Sequence, residues 1–149
     1  MPRAKRVRAI LDTNLIISAA LIPQSPPDNL FKLWLKDAFD LLISKEQLEE
    51  IRAASRKRKL TSYHLISDRI VEFIQNLEFA AELVKPVPET ELPVHSRDLK
   101  DDYILAASLG GKADYLVTGD EDLLALSANP GLVKLKIVSV SQFLSGIIH

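Results

Sequence analysis

The sequence predicts an α/β fold in which helices cover both faces of a parallel sheet. Short apolar segments alternate with longer segments whose apolar residues recur at helical spacing. The chain has 149 residues, of which 47% are apolar, and this is enough for a sizeable core. No internal repeat or low-complexity segment marks a second domain. We therefore expect a single domain over residues 1–149.

In the first half of the chain, residues 7–11 (VRAIL) are predicted to form a strand that ends at Asp12, followed by a helix over 13–21. Residues 23–29 (PQSPPDN) contain three prolines and are predicted to form a loop. A helix over 30–39 and a strand over 40–44 are expected next. Ser44 and Gln47 have the spacing of a capping box, which predicts the start of a helix over 45–58.

In the second half, apolar residues at helical spacing predict a long helix over 62–84. A strand is predicted over 83–87, and the rest of 85–95 is predicted to be a loop because the segment holds three prolines. Asp98 is the expected N-cap of a helix over 98–109 that ends at Gly110 and Gly111. The last predicted elements are a strand over 114–120, a helix over 121–127, a strand over 134–140 and a helix over 141–148.

Composition narrows the possible chemistry. The chain has no cysteine, which excludes disulfides, thiolate metal sites and cysteine nucleophiles. This agrees with a reducing compartment, and we expect a cytoplasmic protein. No apolar run approaches the ~20 residues of a membrane span. Asp12 and Asn14 interrupt the first apolar run where a signal peptide needs its apolar core, so we expect neither secretion nor membrane insertion.

The charge balance leaves the class of partner open. The net charge is −1, from 19 basic and 20 acidic residues, and it neither requires nor excludes a nucleic acid. Basic residues form two clusters, each suited either to phosphate contacts or to a solvated surface. The first contains Arg3, Lys5, Arg6 and Arg8, and the second contains Arg56, Lys57, Arg58 and Lys59.

Acidic residues are expected to gather at one edge of the sheet. Asp12 follows the first strand and Asp120 follows the apolar part of the fourth, and ligands of such sheets bind at the carboxyl ends of the strands. Two acidic pairs, Glu49-Glu50 and Asp101-Asp102, lie near the starts of helices that open at this edge. Carboxylates ~4 Å apart repel by about 4 kcal/mol at an effective dielectric of 20, so such a cluster requires cations. Oxygen ligands without histidine or cysteine suit Mg²⁺ or Mn²⁺ better than Zn²⁺.

Each of these acids also fits a purely structural role. Aspartates cap helices and occupy turns, and acids near a helix start complement its dipole or pair with basic neighbours. Spacing does not choose between Glu49 and Glu50, or between Asp101 and Asp102, because both members of each pair border the apolar stripe of their helix. Asp122 is suited to helix capping or to assisting a metal site.

Four segments, in this order and at these spacings, resemble the PIN-domain ribonucleases, and in particular the VapC-like toxins of prokaryotic toxin–antitoxin systems. They are ILDTNLIISA, SKEQLEEI, KDDYILAAS and ADYLVTGDEDLL. The resemblance extends from Val7 to the C-terminal IVSVSQFL. It implies a three-layer, Rossmann-like PIN domain with a central parallel sheet of about five strands flanked by helices.

The resemblance also implies an endoribonuclease that hydrolyses phosphodiester bonds of single-stranded RNA and depends on one or two Mg²⁺ or Mn²⁺ ions. By motif, it implies four catalytic and metal-binding residues: Asp12, Glu50, Asp102 and Asp120. Three further acids stand beside them: Glu49, Asp101 and Asp122. A cognate antitoxin and a homodimer are the implied protein partners. The alternative is a PIN scaffold that binds RNA or a protein without cutting.

Three uncharged polar residues are expected near the same edge: Asn14, Ser44 and Thr118. They are suited either to orienting carboxylates or to local main-chain hydrogen bonds. The three histidines, His64, His95 and His149, lack the spacing of metal ligands. His95, in the loop before Asp98, is the one expected nearest to a substrate, unless it is an ordinary surface residue.

Overall fold

The computed structural model describes residues 6–59 and 64–148 and contains one parallel sheet within them. Its strands are β1 (Arg8–Leu11), β2 (Asp40–Ser44), β3 (Glu82–Val84), β4 (Tyr115–Val117) and β5 (Lys136–Val138). They lie in the order β3-β2-β1-β4-β5, so the first strand is central. Ile10 pairs with Leu42 on one side and with Leu116 on the other. The predicted α/β class and the five-stranded parallel sheet are confirmed.

Helices pack on both faces of this sheet. They are α1 (Thr13–Leu21), α2 (Pro26–Leu35), α3 (Lys45–Lys59), α4 (His64–Ala80), α5 (Asp102–Gly110), α6 (Glu121–Leu124) and α7 (Val140–Gly146). Successive side chains of a strand point to opposite faces. Ala9 and Leu11 therefore join the core beneath α1, α2, α3, α4 and α7, whereas Ile10 joins the core beneath α5. In the part of the chain that the structure describes, no helix is both long and apolar enough to cross a membrane.

Helix α2 corrects the predicted loop over 23–29. It begins at Pro26, because proline is tolerated in the first turn and the Ser25 hydroxyl accepts a hydrogen bond from the Asp28 N–H at 3.4 Å. It ends at Leu35 instead of residue 39, and Asp37 has a positive φ of 64°. Asp28 is buried and pairs with Arg69 of α4 at 3.5 Å. This tertiary contact fixes a helix start that the prolines conceal in the sequence.

The other differences are at element ends. Helix α5 begins at Asp102 and not at Asp98, because a 3₁₀ turn over Leu99–Asp101 precedes it. A second 3₁₀ turn, Glu89–Glu91, lies within the predicted loop. The helix predicted to reach residue 84 ends at Ala80, and the strand predicted over 83–87 lies at Glu82–Val84. The strands predicted over 114–120 and 134–140 are shorter, and α6 ends at Leu124. The predicted start of α4 at residue 62 lies outside the described residues.

The predicted capping box at the start of α3 is confirmed. The Ser44 hydroxyl accepts from the Gln47 N–H at 3.2 Å, and the Gln47 side-chain oxygen accepts from the Ser44 N–H at 3.1 Å. The Gln47 amide also donates to the carbonyl of Leu11 at 2.7 Å. This fully buried side chain joins the carboxyl ends of β1 and β2. It thereby fixes α3 against the edge of the sheet where Asp12 follows.

Candidate active site

Asp12 lies directly after the central strand, and neighbouring groups hold its carboxylate. Its N–H donates to the carbonyl of Val117 at 2.9 Å. The Thr118 hydroxyl donates to Asp12 Oδ2 at 2.8 Å, and the Asn14 N–H donates to Oδ1 at 3.4 Å. Asp12 therefore N-caps α1 and at the same time presents a positioned carboxylate at the sheet edge. Asp12 thus has the helix-capping role expected of it and also remains a candidate site residue.

Asp120 is joined to Asp12 through the buried hydroxyl of Thr118. This hydroxyl accepts a hydrogen bond from the Asp120 N–H at 3.0 Å while it donates to Asp12. Asp120 N-caps α6, because its Oδ1 accepts from the N–H groups of Asp122 and Leu123 at 2.8 and 3.2 Å. Thr118 thus fixes the relative positions of two acids that are distant in sequence.

A cleft of about 250 Å³ opens between these two acids. Its lining consists of Asp12, Asn14, Leu15, Ser18, Gly119 and Asp120. Larger clefts lie beside Arg6 and Asp40 and beside Lys45 and Lys85. The cleft at Asp12 is the candidate site because of the carboxylates that meet there and not because of its size.

Asp101 is half-buried, and the charges of the same acids affect its pKa. Its pKa is raised from 3.8 to about 6, mainly by burial and in addition by the negative charges of Asp120, Asp98, Asp12 and Asp122. Its Oδ2 atom is buried and has no hydrogen-bond partner among the described residues. The 3₁₀ turn that ends at Asp101 therefore brings a third carboxylate to the edge occupied by Asp12 and Asp120.

Asp102, the next residue, has different surroundings. It is 4% exposed. Its Oδ1 accepts from the Ser96 N–H at 2.7 Å, and its Oδ2 lies 2.7 Å from Nδ1 of His95. Both oxygens of Asp102 therefore contact residues 95 and 96, and the expectation that Asp102 belongs to the acidic site stays a prediction. Consecutive residues at a helix start point in different directions, so the two aspartates have different neighbours.

Glu50 lies on the side of α3 that faces α5. The Tyr103 hydroxyl is 3.4 Å from the Thr13 hydroxyl. Burial raises the pKa of Tyr103 most, the hydrogen bond with Thr13 lowers it, and the nearby Glu50 and Asp12 carboxylates raise it. Tyr103 therefore lies close to both carboxylates. Tyr103 and Thr13 were not predicted from the sequence, although each directly follows an acid of a motif.

The remaining predicted residues have mixed placements. Asn14 is exposed and lines the cleft, but its contact with Asp12 is through its main chain. The Ser44 hydroxyl is used in the capping box. Glu49 and Glu50 are both exposed. Asp122 contributes its N–H to the cap at Asp120 and its charge to Asp101.

The structure describes only some of the residues of the two basic clusters. Arg6 pairs with Asp40 at 3.0 Å and Arg8 pairs with Glu82, both at the amino ends of the strands and away from the cleft. Arg56 and Lys57 are exposed on α3. Several predicted residues lie outside the described part of the chain, either entirely or in their side chains: Arg3, Lys5, Arg58, Lys59, His64 and His149.

The PIN-domain sequence profile matches residues 8–122, which contain every acid described above. The chain belongs to the PIN-domain family. Proteins of this family are in general nucleases that use divalent metal ions. The resemblance found in the sequence is thereby confirmed at the level of the family.

Three other proteins are similar to this PIN domain. The chain is 25% identical over 144 residues to the uncharacterized protein MJ1680 of Methanocaldococcus jannaschii, covering 93% of this chain and 90% of that protein. The crystal structure of PAE2754 from Pyrobaculum aerophilum matches with a TM-score of 0.59 and 16% identity, covering 92% and 86% of the two chains. VapBC2 from Rickettsia felis, crystallised with a DNA fragment from its promoter, matches with a TM-score of 0.58 and 17% identity, covering 88% and 98%. At these identities, the two structures show a shared fold.

The acidic side chains of this PIN domain are suitable ligands for a divalent cation, but they do not form a complete coordination site. Within residues 6–59 and 64–148, no three acidic side chains come close enough to enclose an ion. The donors are carboxylate oxygens, which Mg²⁺ and Mn²⁺ prefer. Among the described residues, the buried Oδ2 of Asp101 has no hydrogen-bond partner, and a cation is a partner that would satisfy it. The residues present therefore fit a cation that draws Asp12, Asp101 and Asp120 together.

Proposed function

We propose that this PIN domain is a metal-dependent endoribonuclease that hydrolyses phosphodiester bonds of single-stranded RNA. The observation that supports it most is that Asp12 and Asp120 line one cleft at the carboxyl edge of the sheet and that Asp101 lies within range of their charges. There Thr118 links the first two, and burial and like charges raise the pKa of the third to about 6. Clustered carboxylates of this kind destabilise a protein unless they serve a ligand.

In this proposal, Asp101 takes the role that the motif assigned to Asp102. The charges of Asp12 and Asp120 raise the pKa of Asp101, and one of its oxygens has no partner in the part of the chain that the structure describes. Both oxygens of Asp102, in contrast, contact His95 and Ser96. Asp102 then has a supporting role, because its carboxylate holds residues 95 and 96, which precede Asp101 in the chain. The motif KDDYILAAS itself assigns the role to Asp102, whereas the spacing of apolar residues does not choose between the two.

The chain's own residues position the metal ligands and the substrate. Asp12, Asp101 and Asp120 would hold the ion, and Glu50 would supply a fourth carboxylate from α3. When bound, a divalent ion polarises the phosphodiester and offsets its negative charge. Thr118 keeps the Asp12 carboxylate in one orientation by donating to Oδ2. Water then attacks phosphorus, and the bond from phosphorus to the leaving oxygen breaks.

The test is cleavage of end-labelled single-stranded RNA by purified protein with Mn²⁺, with Mg²⁺ and with EDTA. Asp12→Asn, purified in the same way, is the control for contaminating nucleases. Cleavage that requires both the ion and Asp12 is expected. Equal cleavage by the Asp12→Asn variant, or no cleavage of several unrelated RNAs by folded wild-type protein, would overturn the proposal and favour a scaffold that binds without cutting.

The choice between the two aspartates has its own test in the same assay. Asp101→Asn is expected to abolish cleavage at low Mn²⁺ concentration, and high Mn²⁺ is expected to restore part of it. Asp102→Asn is expected to act mainly on stability, because its contacts are within the protein. If Asp102→Asn needs more metal and Asp101→Asn does not, Asp102 is the ligand after all.

We further propose that the nuclease is the toxin of a toxin–antitoxin pair and acts as a homodimer. The fold shared with VapBC2 over 88% of the chain supports this role. Induced expression of wild-type protein in bacteria is expected to arrest growth, and Asp12→Asn is expected to be harmless at equal expression. Growth unaffected by active nuclease would argue against a toxin. Light scattering of the purified chain decides between monomer and dimer.

A further inference from the structure

Two lysines follow the strands on one side of the acidic site. Lys45 comes directly after β2, and Lys85 comes directly after β3. Asp12 occupies the same position after β1. Because these three strands are parallel, all three residues lie at the carboxyl edge of the sheet, where ligands of such sheets bind. In the order of the strands, the charge at this edge is therefore positive at β3, positive at β2 and negative at β1.

The register of the sheet gives the distance between this positive part of the edge and the acids. Ile10 pairs with Leu42, so Asp12 stands level with Ser44 at the end of β2. Ser44 in turn pairs with Val84 at the end of β3. Neighbouring strands are about 4.8 Å apart, and β3 is two strands from β1, so the end of β3 lies about 10 Å from Asp12. A nucleic-acid strand that occupies the acidic site can therefore continue over the ends of β2 and β3.

A groove of about 630 Å³ lies between the first turn of α3 and the end of β3. Leu83 is 64% exposed and Pro86 is also exposed, so the groove has an apolar surface open to solvent. The segment that follows β3 is held against α5, because the Val87 N–H donates to the carbonyl of Ala106 at 3.0 Å. The lining consists of Lys45, Glu46, Leu83, Val84, Lys85 and Pro86.

The positive charges of the two lysines are not neutralised by the fold. Within residues 6–59 and 64–148, the ammonium groups of Lys45 and Lys85 form no ion pair or hydrogen bond. Lys32, in contrast, pairs with the buried Asp28 at 3.3 Å. Glu46 adds one negative charge to the groove against two positive ones. The groove therefore suits an anionic ligand, and lysine binds phosphate as a compact point charge.

We propose that this groove is a nucleotide-binding subsite for the RNA strand that is cut at the acidic site. Lys45 and Lys85 bind phosphates near the one that is cut, and the apolar surface of Leu83 and Pro86 packs against a base. RNA is favoured over a protein ligand because the groove and the acids share one edge of the sheet and phosphates repeat along the strand. This inference rests on the proposed ribonuclease function and assigns the side of the acids on which the substrate continues.

The first experiment measures binding of a fluorescent single-stranded RNA by anisotropy in EDTA at several salt concentrations. Lys45→Gln and Lys85→Gln are each expected to weaken binding about two- to fivefold, the range of an exposed ion pair. Each is also expected to reduce the slope of log Kd against log salt by about 0.7, the value for one single-strand phosphate. Lys136→Gln is the matched control and is expected to change neither, because Lys136 is exposed but begins β5 at the amino edge of the sheet. All three variants change exposed side chains, so folding is preserved.

The second experiment tests whether the RNA bound by the lysines is the strand that is cut. In cleavage with Mn²⁺, the double variant Lys45→Gln/Lys85→Gln is expected to raise KM about 4- to 25-fold, the product of the two single effects. Its kcat is expected to stay at the wild-type value, because contacts away from the reacting phosphate bind the substrate and the transition state equally. Lys136→Gln is again the control and is expected to keep the wild-type KM.

Several outcomes overturn the subsite. Lysine variants that match Lys136→Gln in affinity and salt slope would show that the groove does not bind RNA and would leave it to a protein partner. Weaker binding with an unchanged KM would show that the lysines hold an RNA strand other than the one that is cut. The same assays separate this inference from the proposed function. A wild type that cuts RNA with a KM independent of both lysines refutes the subsite alone, and a wild type that binds RNA through both lysines but never cuts refutes the nuclease alone.

Discussion

Replacing Asp101 with asparagine is expected to stabilise this PIN domain when divalent cations are absent. The substitution keeps the size of the side chain and removes a negative charge that lies near Asp120, Asp98 and Asp12. It also leaves in place the contacts of Asp102, which belong to the neighbouring side chain. The change therefore isolates the electrostatic cost of one carboxylate in the cluster.

The size of the effect follows from the pKa of Asp101, which burial and like charges raise from 3.8 to about 6. A rise of this size corresponds to at most about 3 kcal/mol. Because Asp101 is only half-buried, water and salt screen its charge, and we expect about 1 kcal/mol. For a 149-residue chain this raises Tm by about 2–4 °C.

The sign of the pH dependence is also determined. Because the folded protein binds this proton more tightly than the unfolded chain, the carboxyl's contribution to the free energy of unfolding decreases as pH rises from about 4 to about 6. Above about pH 6 the ionised carboxylate destabilises the fold by its full amount. The stability gained by Asp101→Asn is therefore expected above pH 6 and should disappear near pH 4.

The assay is thermal unfolding in EDTA at several pH values, followed by circular dichroism. Asp102→Asn is the matched control and is expected to lower the free energy of unfolding by about 1–3 kcal/mol, because it disturbs two hydrogen bonds of a buried carboxylate. Adding Mn²⁺ is expected to raise the Tm of wild type more than that of Asp101→Asn. A destabilised Asp101→Asn variant at pH 7.5 in EDTA, or an equal Mn²⁺ effect on both, would refute the reasoning.

Three further predictions concern the scaffold and the linked acids. Gln47→Leu is expected to destabilise the protein by about 2–4 kcal/mol in urea unfolding, since it leaves buried main-chain groups of β1 and β2 unpaired; an unchanged midpoint would contradict this. Gly110→Ala places a Cβ 1.9 Å from the carbonyl oxygen of Lys85 and should cost about 1–3 kcal/mol or more. In its control, Gly146→Ala, the added Cβ meets no atom of the described residues within 4 Å, so the variant should be neutral or stabilising. Thr118→Val is expected to reduce kcat about 10- to 100-fold with the fold retained, and Thr118→Ser to preserve it, because only the hydroxyl links the two acids. Equal activity of both Thr118 variants would exclude that role.

Where the fold follows from local chemistry, it was predictable. The capping box of Ser44 and Gln47 is a three-residue spacing, and its two main-chain contacts appear as expected. The start of α2 was not predictable from Pro26 and Pro27, because prolines occur both in loops and in first helical turns. The contact of Asp28 with Arg69 on a distant helix decides between them.

The sequence by itself determined the parallel sheet, the family and the two strand ends at which Asp12 and Asp120 stand, because the alternation of apolar segments and the motifs are properties of neighbouring residues. Only the tertiary structure shows that Asp101 and Asp102 have different surroundings. Residues 95 and 96 contact the Asp102 carboxylate, whereas like charges surround Asp101. The same is true of Thr118, whose hydroxyl joins Asp12 and Asp120 because β4 lies beside β1 in the sheet. Side chains brought together from distant positions acquire their partners only when the chain folds.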